Sequence, residues 1–430
     1  MSMSLCGKYS GRSGGPATVT GSSCLVSPIF RLLVVLLLLS APACSRDRPD
    51  SSGAPSDEVG DPADQGGVAP WRAGEGLSLT PEPILSIGAV EGAPDYQFQD
   101  VRGAIRLPDG SIVVADRGAQ HLQWYDASGR YLRTLGGRGE GPGEFRGLLS
   151  VFAHGDSVVA FDERLQRVSV FSPEGEFTRS FQIPTAPGLL KGVFRDGSSL
   201  LAFVLGEEVQ AREEGYRRHV RATFHLGPQG EILDTLPPFP DREEILTIRP
   251  PAGGRSGGVA LGPSPFGKET SFAAFGNRFA VGTQDRPEIQ VFDADGTLRS
   301  TVRWQGGDRA VTGEVLEKHR DYQLGQADSP EARRRVHAWL DGEVYPDSLP
   351  SHKALFFDPS GNLWVEDYWF WGSGPARWQV FDPGGRQLGS VGFPDRFLVF
   401  EIGEDYVLGK GWDELEVEYV LMYGLVPGGG

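Results

Sequence analysis

Cysteine is the first scarcity in this sequence of 430 residues: Cys6, Cys24 and Cys44 are the only three, and all precede residue 45. The remainder of the chain can form neither a disulfide nor a thiolate metal site. The seven histidines include no H-E-x-x-H pair, which excludes the helical zinc site of that pattern. Asparagine occurs only at 277 and 362. Basic charge is short as well, with a formal net charge of -16, and nucleic acids or anionic lipid surfaces require a basic footprint. Long apolar runs are missing: the best, Leu32–Leu39, is too short to span a bilayer comfortably. What abounds is glycine, 60 residues, and proline, 32, in a chain that is 39% hydrophobic. That composition excludes a helical bundle and predicts a mostly β protein with many turns and a large core.

The cysteine clustering has a reason. Arg31, the apolar run and then Ser40-Ala41-Pro42-Ala43-Cys44 have the layout of a secretory signal. A small residue directly before a cysteine resembles the lipobox of bacterial lipoproteins, with Ala41 where leucine is usual, and the resemblance implies that Cys44 is the lipid attachment site. Cleavage by an ordinary signal peptidase, with Cys44 a bystander, is the competing reading. The long stretch before Ile29 fits a mis-assigned start codon. Removing residues 1–44 takes away Lys8, Arg12 and Arg31 and no acid, so -16 becomes -19. Residues 45–76, rich in Ser, Gly, Pro and Asp and without aliphatic periodicity, read as a flexible tether.

Self-similarity organises the rest. "GSIVVADRGAQHLQWYDASGRYLRTLG" (Gly110–Gly136) is followed by "DSVVAFDERLQRVSVFSPEGEFTRSFQ" (Asp156–Gln182), with Asp116/Asp162, Tyr125/Phe171 and Gly129/Gly175 each 46 apart. Each copy alternates, breaks at Asp, alternates, turns at Gly and alternates again, which predicts three antiparallel strands. Weaker copies span Asn277–Trp304 and Gly361–Phe393, one with a grown middle loop spans Asp196–Leu236, and the last, Glu404–Leu425, stops after its third strand. One strand is then missing at the C-terminus and one, Leu79–Gly88, is spare at the N-terminus. A closed ring resolves both: an all-β, six-bladed β-propeller over residues 77–430, closed by an N-terminal strand. Two predicted helices, 310–323 and 329–342, form a small insert at 306–350 between blades 4 and 5, the second capped by Ser329 with Pro330 at its first position.

The ten-residue stretch "GGRGEGPGEF" (Gly136–Phe145) tests a different idea. It lacks the Gly-Lys-Ser/Thr ending of a phosphate loop and leads into a strand, not a helix. It matches "IGAVEGAPDYQF" (Ile87–Phe98) and is a connection between blades. A connection of the form G-x-x-G-x-G-P-G-E-F, together with these repeats, resembles the NHL-like six-bladed β-propeller lipoproteins of bacteria. That resemblance covers residues 79–425 and implies the fold; such propellers serve as binding platforms, sensors and, occasionally, enzymes.

Other motifs dissolve on inspection. "GRSGG" at Gly254–Gly258 fits G-x-S-x-G with Ser256 as nucleophile, but it sits in a Gly/Pro loop, not on a strand-turn-helix elbow, and it recurs at Gly11–Gly15 in the leader. "DADG" (Asp293–Gly296) lacks the Glu that closes a calcium loop and occupies a hairpin-turn position. The two asparagines lie in repeat turns, which argues against an amide- and carboxylate-ligated metal in the pore. No catalytic residue, metal site or cofactor is therefore assigned.

The loops between second and third strands carry the candidates. By propeller geometry they open on the same end of the ring as the blade connections, where ligands usually meet this fold. They present Arg117, Arg164, Arg286, Asp367, Tyr368, Trp369, Trp371 and Trp412. The bland reading is a structural ladder in which Asp caps its turn and Arg pairs with the neighbouring blade. The run Tyr368-Trp369-Phe370-Trp371 is expected to expose some of its rings, since four consecutive aromatics cannot share one strand face. Arg333, Arg334 and Arg335 on the second insert helix read as a solvated face, with an acidic ligand as the alternative. The expected function is a lipid-anchored envelope protein facing the periplasm, a monomer that presents this face to a protein or saccharide partner and touches membrane only through its anchor. Ser45 after the cysteine favours the outer membrane. The alternative is a hydrolase or lyase acting on a saccharide or lactone through pore-facing acids.

Overall fold

The computed structural model describes residues 76–183, 188–204, 215–249, 258–370 and 373–428. Cys44, the leader, the tether, Ser256 and Trp371 lie outside them.

Six antiparallel sheets follow one another along the chain. Blade 1 has β3 (Val101–Arg106), β4 (Ile112–Asp116), β5 (His121–Tyr125) and β6 (Tyr131–Gly136), and blade 2 has β7 (Leu148–His154), β8 (Ser157–Asp162), β9 (Arg167–Phe171) and β10 (Phe177–Gln182). Blade 3 runs β11 (Gly188–Val193), β12 (Ser199–Val204), β13 (Gly215–Leu226), β14 (Ile232–Arg249) and β15 (Gly258–Pro263). Blade 4 comprises β16 (Ser271–Phe275), β17 (Arg278–Gly282), β18 (Glu288–Asp293) and β19 (Leu298–Arg303); blade 5 comprises β20 (Leu355–Phe357), β21 (Leu363–Glu366), β22 (Arg377–Phe381) and β23 (Gln387–Gly392). Blade 6 is β24 (Phe397–Ile402), β25 (Tyr406–Trp412) and β26 (Glu418–Pro427), completed by the N-terminal β1 (Leu77–Leu79) and β2 (Leu85–Ile87), both paired with β26. The first strands touch in sequence from β3 through β7, β11, β16, β20 and β24 back to β3, so they enclose the central channel.

The predicted ring stands, with two local differences. The closing strand is two short pieces: Pro81 and Pro83 have no N–H to give a ladder, and the chain rejoins β26 through Thr80 N–H and Ile84 N–H, which donate to Gly424 O and Met422 O. Blade 3 carries a long β13–β14 hairpin and a fifth strand, β15, made from part of the stretch read as a Gly/Pro loop.

The core is six layers, one per blade interface, and it explains why the second strands are buried on both faces. In β4, Val113 and Ala115 join Phe145, Leu148 and Val158 of blade 2, whereas Ile112 and Val114 join Leu408, Val420 and Met422 of blade 6. Alternation thus serves two neighbours at once. Truncating a side chain in such a layer costs about 2–5 kcal/mol.

The two ends of the ring turn differently. Turns between first and second and between third and fourth strands rely on left-handed glycines such as Gly110, Gly129, Gly175, Gly230 and Gly296. Among the described residues, the six non-glycine ones with positive φ, Gln120, Gln166, Phe266, Gln284, Arg396 and Glu416, all lie in loops of the opposite end. Non-glycine residues in that region cost about 1–3 kcal/mol each and persist only where surroundings hold them.

The insert forms α1 (Gly313–Gly325) and α2 (Pro330–Leu340). Ser329 Oγ accepts from Ala332 N–H at 3.1 Å, the predicted cap, and Thr312 caps α1. Arg320 pairs with Asp341 at 3.2 Å to tie the helices, while Arg309 and Ala310 ladder with Leu349 and Ser348 at the stem.

Candidate functional site

Asp116 and Asp162, the repeated acids, are structural. Asp116 accepts backbone N–H groups from Gln99, Asp100, Gly118 and Ala119; Asp162 accepts from Arg146, Gly147, Arg164 and Leu165. Each therefore fixes its own loop and the connection entering its blade. The sequence reading missed the next step. Four residues on, left-handed Gln120 and Gln166 accept from Leu148 N–H (3.1 Å) and Gly188 N–H (2.7 Å) at the start of the following blade. Gln284 does similar work, accepting from Glu269 N–H and donating to Lys353 O.

The "GGRGEGPGEF" connection is a compact knob. Phe145 is fully buried between blades 1 and 2, and the Arg167 guanidinium donates to the carbonyls of Glu140, Gly141 and Glu144. A Cβ on Gly136, where φ is 83°, would stand 2.6 Å from the Phe145 ring, so glycine is required there.

The candidate residues do not converge on one point. Arg117 pairs with Asp100 at 2.6 Å and reaches Glu163 of blade 2 at 3.9 Å, as the ladder reading anticipates. Arg164 is exposed on blade 2, and Arg286 lies with Asp285 and Glu288 in a hollow of about 370 Å³ on blade 4. Trp412, half-buried on blade 6, has Lys410 Nζ 4.9 Å from its ring centre.

None of the three described rings of the aromatic run is exposed, and Trp371 lies outside the described residues. Trp369 is buried, its indole N–H donates to Glu366 Oε1 at 2.6 Å, and Lys353 Nζ stands 3.0 Å from its ring centre. Burial pushes the Glu366 carboxyl up and the Lys353 amine down to about 8. Phe370 joins Phe266 at 5.1 Å, both pack on His319 of α1, and Phe266 and His319 also meet Tyr345. Phe370 faces protein because the insert covers it, whereas Trp369 packs against Glu366 and Lys353. The insert is thus pinned by Phe266, from the connection between blades 3 and 4, and by Phe370 of blade 5.

Asp367 and Tyr368 do share a cavity. A groove of about 460 Å³ between blades 4 and 5, under the insert's stem, is lined by both and by Trp304, Arg309, Arg377, Gln379, Gln387 and Ser390. Asp367 binds Arg377 Nε at 2.9 Å and Gln379 Nε2 at 3.0 Å, and Gln387 donates to Gln379 Oε1 at 2.7 Å. This relay presents amide, guanidinium and carboxylate edges between the rings of Trp304 and Tyr368.

One arrangement imitates acyl-transfer chemistry. His225 joins Asp234 (3.1 Å) and Ser198 Oγ (2.8 Å) at the far end of the ring. Ser198 is 1% exposed and its hydroxyl donates to Asp196, repeating the Asp109–Ser111 turn of blade 1, so it is a turn lock and not a nucleophile. Among the described residues no group of three or more His, Asp or Glu side chains is placed to hold a metal ion, and no helix is long and apolar enough to cross a membrane.

No protein-family model matches the chain, nor does any curated protein. Among solved structures it is similar to a member of the DUF4221 family from Bacteroides vulgatus (TM-score 0.47, 10% identity, covering 82% of this chain and 99% of that one). It is also similar to an inferred exported protein of Bacteroides fragilis (0.45, 13%, 82% and 95%) and to a streptogramin B lyase (0.39, 10%, 83% and 100%).

Proposed function

We propose that this chain is an exported, lipid-anchored binding propeller of the bacterial envelope that holds a saccharide in the groove between blades 4 and 5. The observation that carries the reading is the groove itself. Its volume of about 460 Å³ lies within the range of roughly 300–1,000 Å³ that suits small ligands. Planar amides, a carboxylate and an arginine flanked by aromatic faces match the alternating hydroxyl edges and C–H faces of a sugar ring. The hydrolase or lyase reading gains less support, because Asp116, Asp162 and Asp367 are committed to structural bonds.

The test is a panel of neutral and acidic oligosaccharides titrated against the purified full chain, with Tyr368→Ala and Gln387→Ala as comparisons. Saturable binding weakened about tenfold or more in both variants, with unchanged circular dichroism, supports the groove. Equal binding by the variants, or partners that are proteins alone, sinks it. Cys44→Ser tests the anchor separately: membrane association that survives the substitution refutes lipid attachment there.

A further inference from the structure

A second place in the molecule holds polar groups that the fold itself leaves unused. Lys191 lies on β11, one of the six strands around the channel. It is half-buried, its amine stands 5.8 Å from the Phe272 ring of blade 4, and among the described residues it makes no hydrogen bond or ion pair. Arg221 of β13 is 4% exposed and gives one nitrogen, Nη2, to Asp241, while its Nε and Nη1 are buried without a partner. Thr223, two residues along β13, is fully buried and its hydroxyl is likewise without one. Buried polar groups of native proteins are almost always satisfied, so these orphaned atoms on β13, two strands across the blade from Lys191, call for an explanation.

The backbone holds blades 3 and 4 close. A Cβ on Gly192, beside Lys191, would come within 2.4 Å of Ala274 Cβ, so the first strands of blades 3 and 4 pack without slack there. Thr270, at the entry to blade 4, donates to Pro240 O beside Asp241, and the same connection carries Phe266 up to the insert. The orphaned groups are therefore near the loop-face end of the ring, next to the insert's blade 3 anchor.

We propose that Lys191 and Arg221, with the Thr223 hydroxyl, form a seat for an oxyanion, the carboxylate or phosphate group of a small ligand, at the channel wall between blades 3 and 4. Two cations that repel one another, with Asp241 already committed to Arg221, gain from an incoming anion, and charge-assisted hydrogen bonds are the strong ones. The charged groups facing Lys191 are Arg221 from β13, Asp241 from β14 and Glu269 from the β15–β16 connection. Burial, then Arg221, pushes the Lys191 amine down to about 8, with the two acids opposing. The seat is accordingly charged at neutral pH and discharges just above it. This site is separate from the saccharide groove, and each stands without the other.

The test uses the purified full chain, titrated separately with inorganic phosphate and with succinate, and reads the acetylation rate of Lys191 by mass spectrometry. The expected result is saturable shielding of Lys191 by at least one anion at pH 7, lost in Arg221→Gln and weakening about tenfold per pH unit above 8. Shielding by phosphate alone assigns a phosphate-bearing ligand, by succinate alone a carboxylate. Because Arg221→Gln leaves Asp241 unpaired and can fail to fold, Lys191→Met supplies a second reading: its Tm without added anion equals or exceeds wild type, and the anion-induced Tm rise of wild type is absent. Failure of both anions to shield, undiminished shielding or Tm rise in the variants, or a Lys191→Met that is markedly less stable than wild type overturns the seat.

Discussion

The imidazole of His319 on α1 stands 5.0 Å from the ring of Phe266, whose φ of 54° places it in the left-handed region of the connection between blades 3 and 4. A helix inserted between blades 4 and 5 is thus held by a loop from the other side of blade 4. Tyr345 and Phe370 complete the contact, and His319, enclosed by rings, has its proton affinity lowered by burial. Aromatic pairs of this kind contribute about 0.5–1.5 kcal/mol each beyond their buried area.

Phe370→Ala is therefore expected to loosen the insert without unfolding the ring. Loss of its contacts with Phe266 and His319 amounts to about 1–2 kcal/mol, roughly a five- to thirtyfold increase in opening. Hydrogen exchange across 313–340 measures it. Unchanged exchange there, or a general rise through the blades, would show that the ring cluster is not what seats the insert.

The clasps between blades give a second expectation. Gln120→Ala removes the acceptor of Leu148 N–H while leaving the strained φ of 61°, at a cost of about 2–3 kcal/mol. Gln120→Gly loses the same bond but accepts that backbone freely, so its loss should be smaller by about 1 kcal/mol. Urea midpoints decide the order, and a glycine variant less stable than the alanine one contradicts it.

Much of this architecture is legible in the sequence because blades repeat with their chemistry attached. The spacing of 46 that links Asp116 to Asp162 also links Gln120 to Gln166, so the clasps could have been found by extending the same comparison four residues. The cap at Ser329 is equally local, a hydroxyl three residues before the N–H it accepts. Blade 3 was less readable, since β14 pairs with β15 through contacts that neither segment announces. Trp369 and Phe370 are hard to place for a related reason: local alternation says that rings must leave the strand, but not that an insert folds back to cover Phe370 or that Glu366 and Lys353 enclose Trp369. Nothing in "GLLKGV" marks Lys191, whose isolation depends on which residues of blades 3 and 4 surround it.

Acid should destabilise the ring through His352. It is fully buried between Ser271 Oγ and Ser351 Oγ, both at 2.9 Å, and burial pushes it down to about 3 from 6.5. Below pH 6.5 the unfolded chain takes up a proton that the folded ring refuses, so this group's contribution to stability falls as pH drops from about 6.5 toward 3, by about 1.4 kcal/mol per unit. Urea unfolding at pH 7 and pH 5 should differ accordingly, and His352→Gln should flatten the difference. An equal pH slope in the variant would assign the effect to other groups.

Gly282 supplies the complementary test of the same interface. An added Cβ would lie 2.2 Å from His352 Nε2 and 2.6 Å from Ile289 Cδ1, closer than side-chain atoms approach. The histidine is fully buried and hydrogen-bonded on both nitrogens, so it cannot swing aside as an exposed chain would. Gly282→Ala is thus expected to cost about 1–3 kcal/mol through overpacking. His352→Ala alone opens a cavity and is itself destabilising, but it removes the atom that the new methyl meets. The double variant should then be less destabilised than the sum of the two single ones, a coupling of about 1 kcal/mol or more in a double-mutant cycle. Strict additivity would mean that the strain at Gly282 is relieved elsewhere, against Ile289, and that the contact with His352 does not set the spacing of blades 4 and 5.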